Sequence, residues 1–284
     1  MQSTEENNEW DLTISADRTN LRFNFEYFWR YRDLLLLLVH RDVVAFYKQT
    51  ILGPLWFVIQ PICTTIIFTI VFGQIANLST DGLPQIAFYL CGITLWNYFS
   101  ECFNKTATTF RDNAPLFGKV FFPRLIVPLS VVISNLFRFA IQFVLFASVW
   151  IYYLLRNEVQ PHASILYFPI VVLTMANLGL AGGLLFSAMT IRYRDLVLFL
   201  QFGVQLLLYA TPVIYPASQI PSRWKLLLCW NPLTPLFEVT RHGFLGVGEY
   251  SVLSIGYAVA FSLVALGCSA IIFNRVERTF MDSI

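Results

Sequence analysis

Residues 125–155 read Leu-Ile-Val-Pro-Leu-Ser-Val-Val-Ile-Ser-Asn-Leu-Phe-Arg-Phe-Ala-Ile-Gln-Phe-Val-Leu-Phe-Ala-Ser-Val-Trp-Ile-Tyr-Tyr-Leu-Leu, with one charge, Arg138. About 20 apolar residues in helix cross the hydrocarbon core. This run therefore reads as a transmembrane helix, long enough to tilt or to begin in the cytosol. Five further apolar segments flank it: Leu55–Ala76, Gln85–Lys105, Ile165–Thr190, Leu196–Tyr215 and Ser251–Phe273. None alternates with the two-residue period of a barrel strand. The expectation is an all-α integral membrane protein of six spans.

Composition agrees. Of 284 residues, 57% are hydrophobic and 13% charged, against about 25% charged in soluble domains. So few charges cannot cover a water-exposed surface. The net charge of +2 excludes a nucleic-acid binder that relies on a strong positive field. The five cysteines are scattered, with no metal or disulfide spacing, and read as small core hydrophobes.

Lys and Arg set the orientation. With a cytoplasmic N-terminus, fourteen fall on the inner side, including Arg18, Arg22, Arg30, Arg32, Arg41, Lys48, Lys105, Arg111, Lys119 and Arg124. Four (Arg156, Arg223, Lys225, Arg241) fall outside. Both termini are expected in the cytoplasm. Residues 1–22 are polar and acidic, lack the basic start of a signal peptide, and read as a mobile cytoplasmic tail. In residues 23–38, Phe25, Phe28, Trp29, Leu35 and Leu36 recur at helical spacing, with Glu26, Arg30 and Asp33 on another face. That describes an amphipathic helix lying in the cytoplasmic interface, or one docked on a partner protein.

Catalytic signatures are missing. Three histidines form no His-Glu-x-x-His pair, and there is no Gly-x-Ser-x-Gly elbow. Glu238 and His242, four apart, read as a surface pair rather than a metal site. Gly118-Lys119 is followed by Val120 and lacks the upstream glycine of a phosphate loop. The chain is therefore not expected to be an enzyme, nor to bind a metal or cofactor of its own.

Two connections carry the functional signal. Pro216–Tyr250 contains two apolar pieces broken by Asn231-Pro232-Leu233-Thr234-Pro235. Both are too short to cross and prolines interrupt them, so they suit two re-entrant helices at a gate or an amphipathic cap. Thr108–Arg124 reads as a short cytoplasmic helix, capped by Asp112 or Asn113 with Pro115 in its first turn. It presents Leu116, Phe117 and Phe121 as a docking knob or against the bundle. Arg138 within its span calls for a partner, and Glu101 is the candidate unless Lys105 takes it. Gly179 and Gly183 form a small-xxx-small pair for close helix packing. Among 47 aromatics, Trp56, Phe68, Phe72, Tyr89, Trp96 and Tyr209 lie in or near spans that could meet at a pore. Flat rings there suit a passage for sugars.

Four motifs in order resemble one family. Leu34–Gln60 includes Arg41-Asp42, Tyr47-Lys48-Gln49-Thr50, Leu52-Gly53-Pro54-Leu55-Trp56 and, running on, Gln60-Pro61. It is similar to the start of ABC-2 type permeases that export polysaccharides and polyol phosphates. Asn113–Ser130 resembles their cytoplasmic coupling helix and the beginning of the third span. Asn231–Pro235, with Arg241 and Leu245-Gly246, resembles their outer re-entrant region. Phe273–Ile284 resembles their C-terminal motif. The resemblance implies a single transmembrane domain over 23–284 and a homodimer forming one channel in the bacterial inner membrane. Two separate ATPase subunits would bind ATP and Mg. It further implies coupling to the ATPase through Glu26, Arg30, Asn113, Pro115, Leu116, Phe117 and Lys119. The substrate path would involve Trp56, Phe68, Phe72, Tyr89, Trp96, Arg138 and Tyr209, and the outer gate Asn231, Pro232, Pro235 and Arg241. The implied substrate is a lipid-linked glycan, O-antigen first. The alternatives are capsule, teichoic acid, or a small lipid or drug.

Overall fold

The computed structural model describes residues 29–48, 52–113, 122–190, 193 and 195–281. The tail 1–22 and Glu26, Pro115, Leu116, Phe117 and Lys119 lie outside the described residues. Among the described residues, nine helices of nine residues or more carry the fold: α1 (Arg32–Lys48), α2 (Trp56–Phe68), α3 (Gln85–Ala107), α4 (Ile126–Leu155), α5 (Phe168–Thr190), α6 (Leu196–Ala210), α7 (Ser222–Trp230), α8 (Thr234–Leu245) and α9 (Val252–Met281). No strand occurs among the described residues.

α2 is one part of a continuous helical stretch from Gly53 to Ile75, opened by a 3-10 turn and closed by a π-helical segment, Thr69–Ile75. Pro61 sits inside it and removes one backbone donor. Thr64 and Thr69 hydroxyls donate back to the carbonyls of Gln60 and Thr65.

α3 forms the centre. Nearly every residue from Ala87 to Phe99 is buried, enclosed by α4 on one side and α5 on another. The α3–α5 contact is made possible by small residues. A Cβ on Gly179 would lie 2.7 Å from Cys102 Cβ, and one on Gly183 would collide with the Thr106 side chain. The small-xxx-small pair thus brings the two backbones together. α9 packs on α5, and α1 lies across the start of α4.

Among the described residues, four stretches are long and apolar enough to cross a membrane: Gly53–Ile75, Ile126–Leu155, Ala163–Ser187 and Val252–Phe273. Two of the six expected spans depart from that pattern. α3 is 23 residues long but carries Asn97, Ser100, Glu101, Asn104 and Lys105, which it can hold because protein rather than lipid surrounds it. α6 has 15 residues, about 22 Å at the helical rise, not the 20 expected. Thr211 leaves the helix (φ −106°, ψ 144°) because a residue preceding proline, here Pro212, is driven to extended backbone.

The N-terminal helix also differs from expectation, continuing to Lys48 instead of ending at residue 38. It docks on its own chain: Leu38 is buried with Phe122, Ile126 and Val127, and Leu34 and Leu35 pack alongside. Trp29, Leu36, Leu37 and Tyr47 stay exposed on the other face. Two short helices, α7 and α8, follow α6 as the broken apolar pieces predict. Of the cysteines, only Cys91 and Cys102 are core residues; Cys63, Cys229 and Cys268 are exposed, and all five are free.

Candidate functional site

Three polar clusters sit in this apolar frame. The first joins α1 to the turn after α3. Asn113 closes the helical turn Thr109–Asp112, donating from Nδ2 to the Thr109 carbonyl at 3.1 Å. Its Oδ1 accepts from Arg41 Nη2 at 3.4 Å, and Arg41 also pairs with Asp42 at 2.8 Å. Arg30 is exposed just before the same helix. Of the expected coupling positions, Asn113 is thus tied to α1 through Arg41, and Arg30 lies two residues before that helix.

The second cluster lies half-buried between α2, α3 and α4. Arg138 Nη1 pairs with Glu101 Oε1 at 2.6 Å, and Nη2 donates to Gln60 Oε1 at 2.9 Å. Its guanidinium lies 5.1 Å from the Phe57 ring centroid. Glu101 Oε2 also pairs with Lys105 at 3.3 Å, one helical turn on, so both candidate partners are used. Lys105 in turn donates to Asn135 Oδ1 at 3.3 Å and sits 4.6 Å from the Phe46 ring. Asn97 and Gln142 bond across α3 and α4 at 3.3 Å. One carboxylate thus holds two cations, and residues from three helices complete their shells.

The third cluster surrounds α8. Arg241 is 1% exposed. Its Nη2 donates to the Val213 carbonyl at 2.7 Å and Nη1 to the Tyr215 carbonyl at 3.3 Å and Glu238 Oε1 at 3.2 Å. The guanidinium stacks over Phe88 at 3.9 Å. The non-helical backbone that Pro212 and Pro216 force on residues 211–216 leaves carbonyls unpaired, and Arg241 satisfies two of them. Asn231 repeats the device: Nδ2 donates to Thr211 Oγ1 at 2.9 Å, and Oδ1 accepts from Leu233 N–H at 3.0 Å. Pro235 opens α8 at a position that needs no donor, and Pro232 lies half-buried in the preceding turn. Gly246 ends the helix at φ +86°, where its N–H returns to the Arg241 carbonyl. The four expected gate residues are therefore one structural unit.

Glu238 and His242 are not the surface pair expected. Glu238 is buried against Arg241, three residues on in an apolar helix, the spacing that could have disclosed it. His242 Nδ1 meets Ser164 Oγ at 2.7 Å, and its ring lies 4.8 Å from His162 and 4.6 Å from Tyr250. Burial pushes the His242 imidazole below its usual range, and the neighbouring His162 adds to the shift.

The expected path aromatics separate. Tyr89 and Trp96 are buried in the core, and Phe68 and Phe72 pack on that core edge-to-face with one another at 5.3 Å. Trp56 and Tyr209 are exposed. Tyr209 completes a face of α6 with Gln201 and Gln205, all exposed and spaced four apart, a polar stripe on an otherwise apolar helix.

Charges held within a membrane bundle are costly and mark functional positions, and the sequence shows the family. Residues 33–245 match the family model described as ABC-2 type transporter. The chain belongs to the ABC-2 type transporter family. It is a multi-pass membrane protein of that family. It is 27% identical to an O-antigen export system permease protein RfbA of Klebsiella pneumoniae over 264 residues, 92% of this chain and 98% of that one. A Myxococcus xanthus O-antigen export permease RfbA is 29% identical over 90% and 97% of the two chains. The polysialic acid transport protein KpsM of Escherichia coli is 22% identical over 86% and 93%.

Proposed function

We propose that this ABC-2 chain is the channel-forming membrane subunit of an ATP-driven exporter that moves lipid-linked O-antigen across the bacterial inner membrane. The observation that carries this reading is the end-to-end match to O-antigen export permeases, covering 97–98% of their length. KpsM supports capsule export as a second reading, at lower identity.

In this reading six helices cross the bilayer, α3 and α6 completing the four long apolar spans, and α7 and α8 re-enter from the outer side. Both termini are cytoplasmic, as the distribution of Lys and Arg favours. Two copies form one channel. Exposed glutamines in hydrocarbon are costly, so the Gln201–Gln205–Tyr209 stripe is best placed facing a water-filled path or the second copy. Trp56 and Tyr209 would border the path directly. Phe68, Phe72, Tyr89 and Trp96 would stiffen its wall from behind, and Arg138 would lock three helices together. α1 with Arg30, and Asn113 with the segment through Lys119, would receive the stroke of a separate ATPase dimer that binds ATP and Mg. Asn231, Pro232, Pro235 and Arg241 would hold the outer gate in its broken-helix form. Deleting the chain from a strain that displays O-antigen is expected to leave lipid-linked polymer inside and none at the surface. Undiminished surface O-antigen would refute the reading, and accumulation of capsule polymer would favour the second.

A further inference from the structure

A cavity of about 640 Å³ opens between α7, the start of α8 and the first turns of α9, lined by Lys225, Cys229, Glu238, Glu249, Tyr250 and Tyr257 among others. That volume lies within the range of about 300–1,000 Å³ typical of small-molecule sites. Three features define what it can hold.

The first is Glu238. Its side chain is 5% exposed. Oε1 serves Arg241 and the Ala217 N–H, while Oε2 accepts no hydrogen bond among the described residues. That oxygen faces the cavity, where it can accept a hydrogen bond from whatever occupies it. The second is charge balance. Lys225, Glu238 and Glu249 line the cavity, and Arg241 is bonded directly behind Glu238. The wall therefore carries both signs and no single-sign field, and a neutral hydroxyl can donate to Glu238. The third is an aromatic wall. Tyr257 is held by its hydroxyl donating to the Trp230 carbonyl at 2.8 Å, which fixes the ring as part of the lining. Ser251, Ser254 and Thr234 add small polar groups. Flat rings beside hydroxyls, and a carboxylate with a free lone pair, match the C–H faces and hydroxyl rims of sugars.

We infer that this cavity is a binding subsite for a neutral saccharide, large enough for one or two rings, beside the short helices α7 and α8. The inference rests on the glycan-export reading and deepens it. Growing or departing polymer would lodge a sugar unit here, next to the Arg241–Glu238 pair that fixes the broken backbone.

Cys229 lines the cavity and is exposed, which supplies the assay. The full permease with its ATPase partner, in nanodiscs and carrying Cys63→Ser and Cys268→Ser, is labelled with a maleimide at Cys229. The probe is an oligosaccharide of one or two repeat units, size-fractionated after partial acid hydrolysis of the O-antigen of the strain that encodes the chain. It is expected to slow labelling saturably. Tyr257→Ala is expected to raise the half-protecting concentration about tenfold, the equivalent of about 1.4 kcal/mol. Tyr257→Phe, which keeps the ring but frees it from the Trp230 carbonyl, is expected to fall between the parent and Tyr257→Ala. An unchanged labelling rate without saccharide shows that each variant keeps its fold. No protection in the parent, or equal protection in Tyr257→Ala, overturns the inference. Protection by phosphoethanolamine instead of the oligosaccharide overturns it in favour of a lipid headgroup site. Loss of surface O-antigen on deletion combined with no protection rejects the subsite alone. Retained surface O-antigen on deletion rejects the export reading, and the subsite with it.

Discussion

Glu101 and Arg138 form one ion pair, yet removing either partner is expected to have unequal consequences. Arg138 lies twelve residues past Ile126 in α4, about 18 Å along the helix, and its side chain is 12% exposed. Glu101 is its only carboxylate partner among the described residues and also serves Lys105. Glu101→Gln therefore leaves two cations facing one another with amides and rings. Arg138→Met leaves Glu101 still paired with Lys105, and puts a flexible apolar chain beside Phe57. Breaking a fully buried pair costs about 3–5 kcal/mol. With Glu101 29% exposed, a discounted cost of about 2–4 kcal/mol applies to Glu101→Gln. Arg138→Met loses the Gln60 hydrogen bond and the pair but orphans no charge, which puts it at about 1–2 kcal/mol. Unfolding of the purified permease in mixed micelles, followed by tryptophan fluorescence against denaturing detergent, measures both. The double variant is expected to fall between them, because Lys105 alone keeps Asn135 and Phe46. If Arg138→Met destabilises as much as Glu101→Gln, the carboxylate is not the hub and this account fails.

Three further outcomes follow from particular contacts. Gly183→Leu is expected to cost at least about 2 kcal/mol by forcing α5 off α3 at Thr106, whereas Gly203→Ala, with open space around it, leaves thermal stability unchanged or slightly raised. Arg241→Lys keeps the charge but cannot reach Val213, Tyr215 and Glu238 together. It is expected to lower melting and export together, and wild-type export would argue against Arg241 as the fixing group of the 211–216 segment. The His242 imidazole is held below its ordinary value near 6.5, so the unfolded chain takes up this proton first as pH falls. Stability contributed by neutral His242 is present above that value and declines as pH drops through and below it. A melting series across that window is expected to show the decline, and His242→Gln to flatten it; an equally steep series in the variant would rule His242 out.

The fold class was legible in the apolar run lengths, because hydrocarbon demands about 20 residues of helix wherever lipid is the solvent. That rule worked best for residues 126–155 and 252–273 and least well for Gln85–Ala107, where neighbouring helices replace lipid and relax the demand for apolar side chains. The Gly179–Gly183 pair announced its own contact. Arg138 called for a partner, and the two choices, Glu101 with Arg138 or Glu101 with Lys105, stayed open in one dimension because a carboxylate has two oxygens and both answers are true. Glu238 was misread because an acid and a histidine four apart on an exposed helix are usually solvated. Only the packing of α8 under the 211–216 segment turns Glu238 inward toward Arg241.

By itself, then, the sequence determined that this is a helical membrane protein, where its chain breaks, and which family it resembles. Those features follow from local rules: hydrocarbon thickness, proline's fixed φ and missing donor, and motif order. Tertiary structure alone decided which polar groups meet. It placed Gln60, Glu101, Lys105 and Arg138 in one network, set Asn113 against Arg41, and used Arg241 to satisfy carbonyls 26 and 28 residues away. Such pairings depend on how helices distant in sequence lie against each other, and no periodicity along one helix records that.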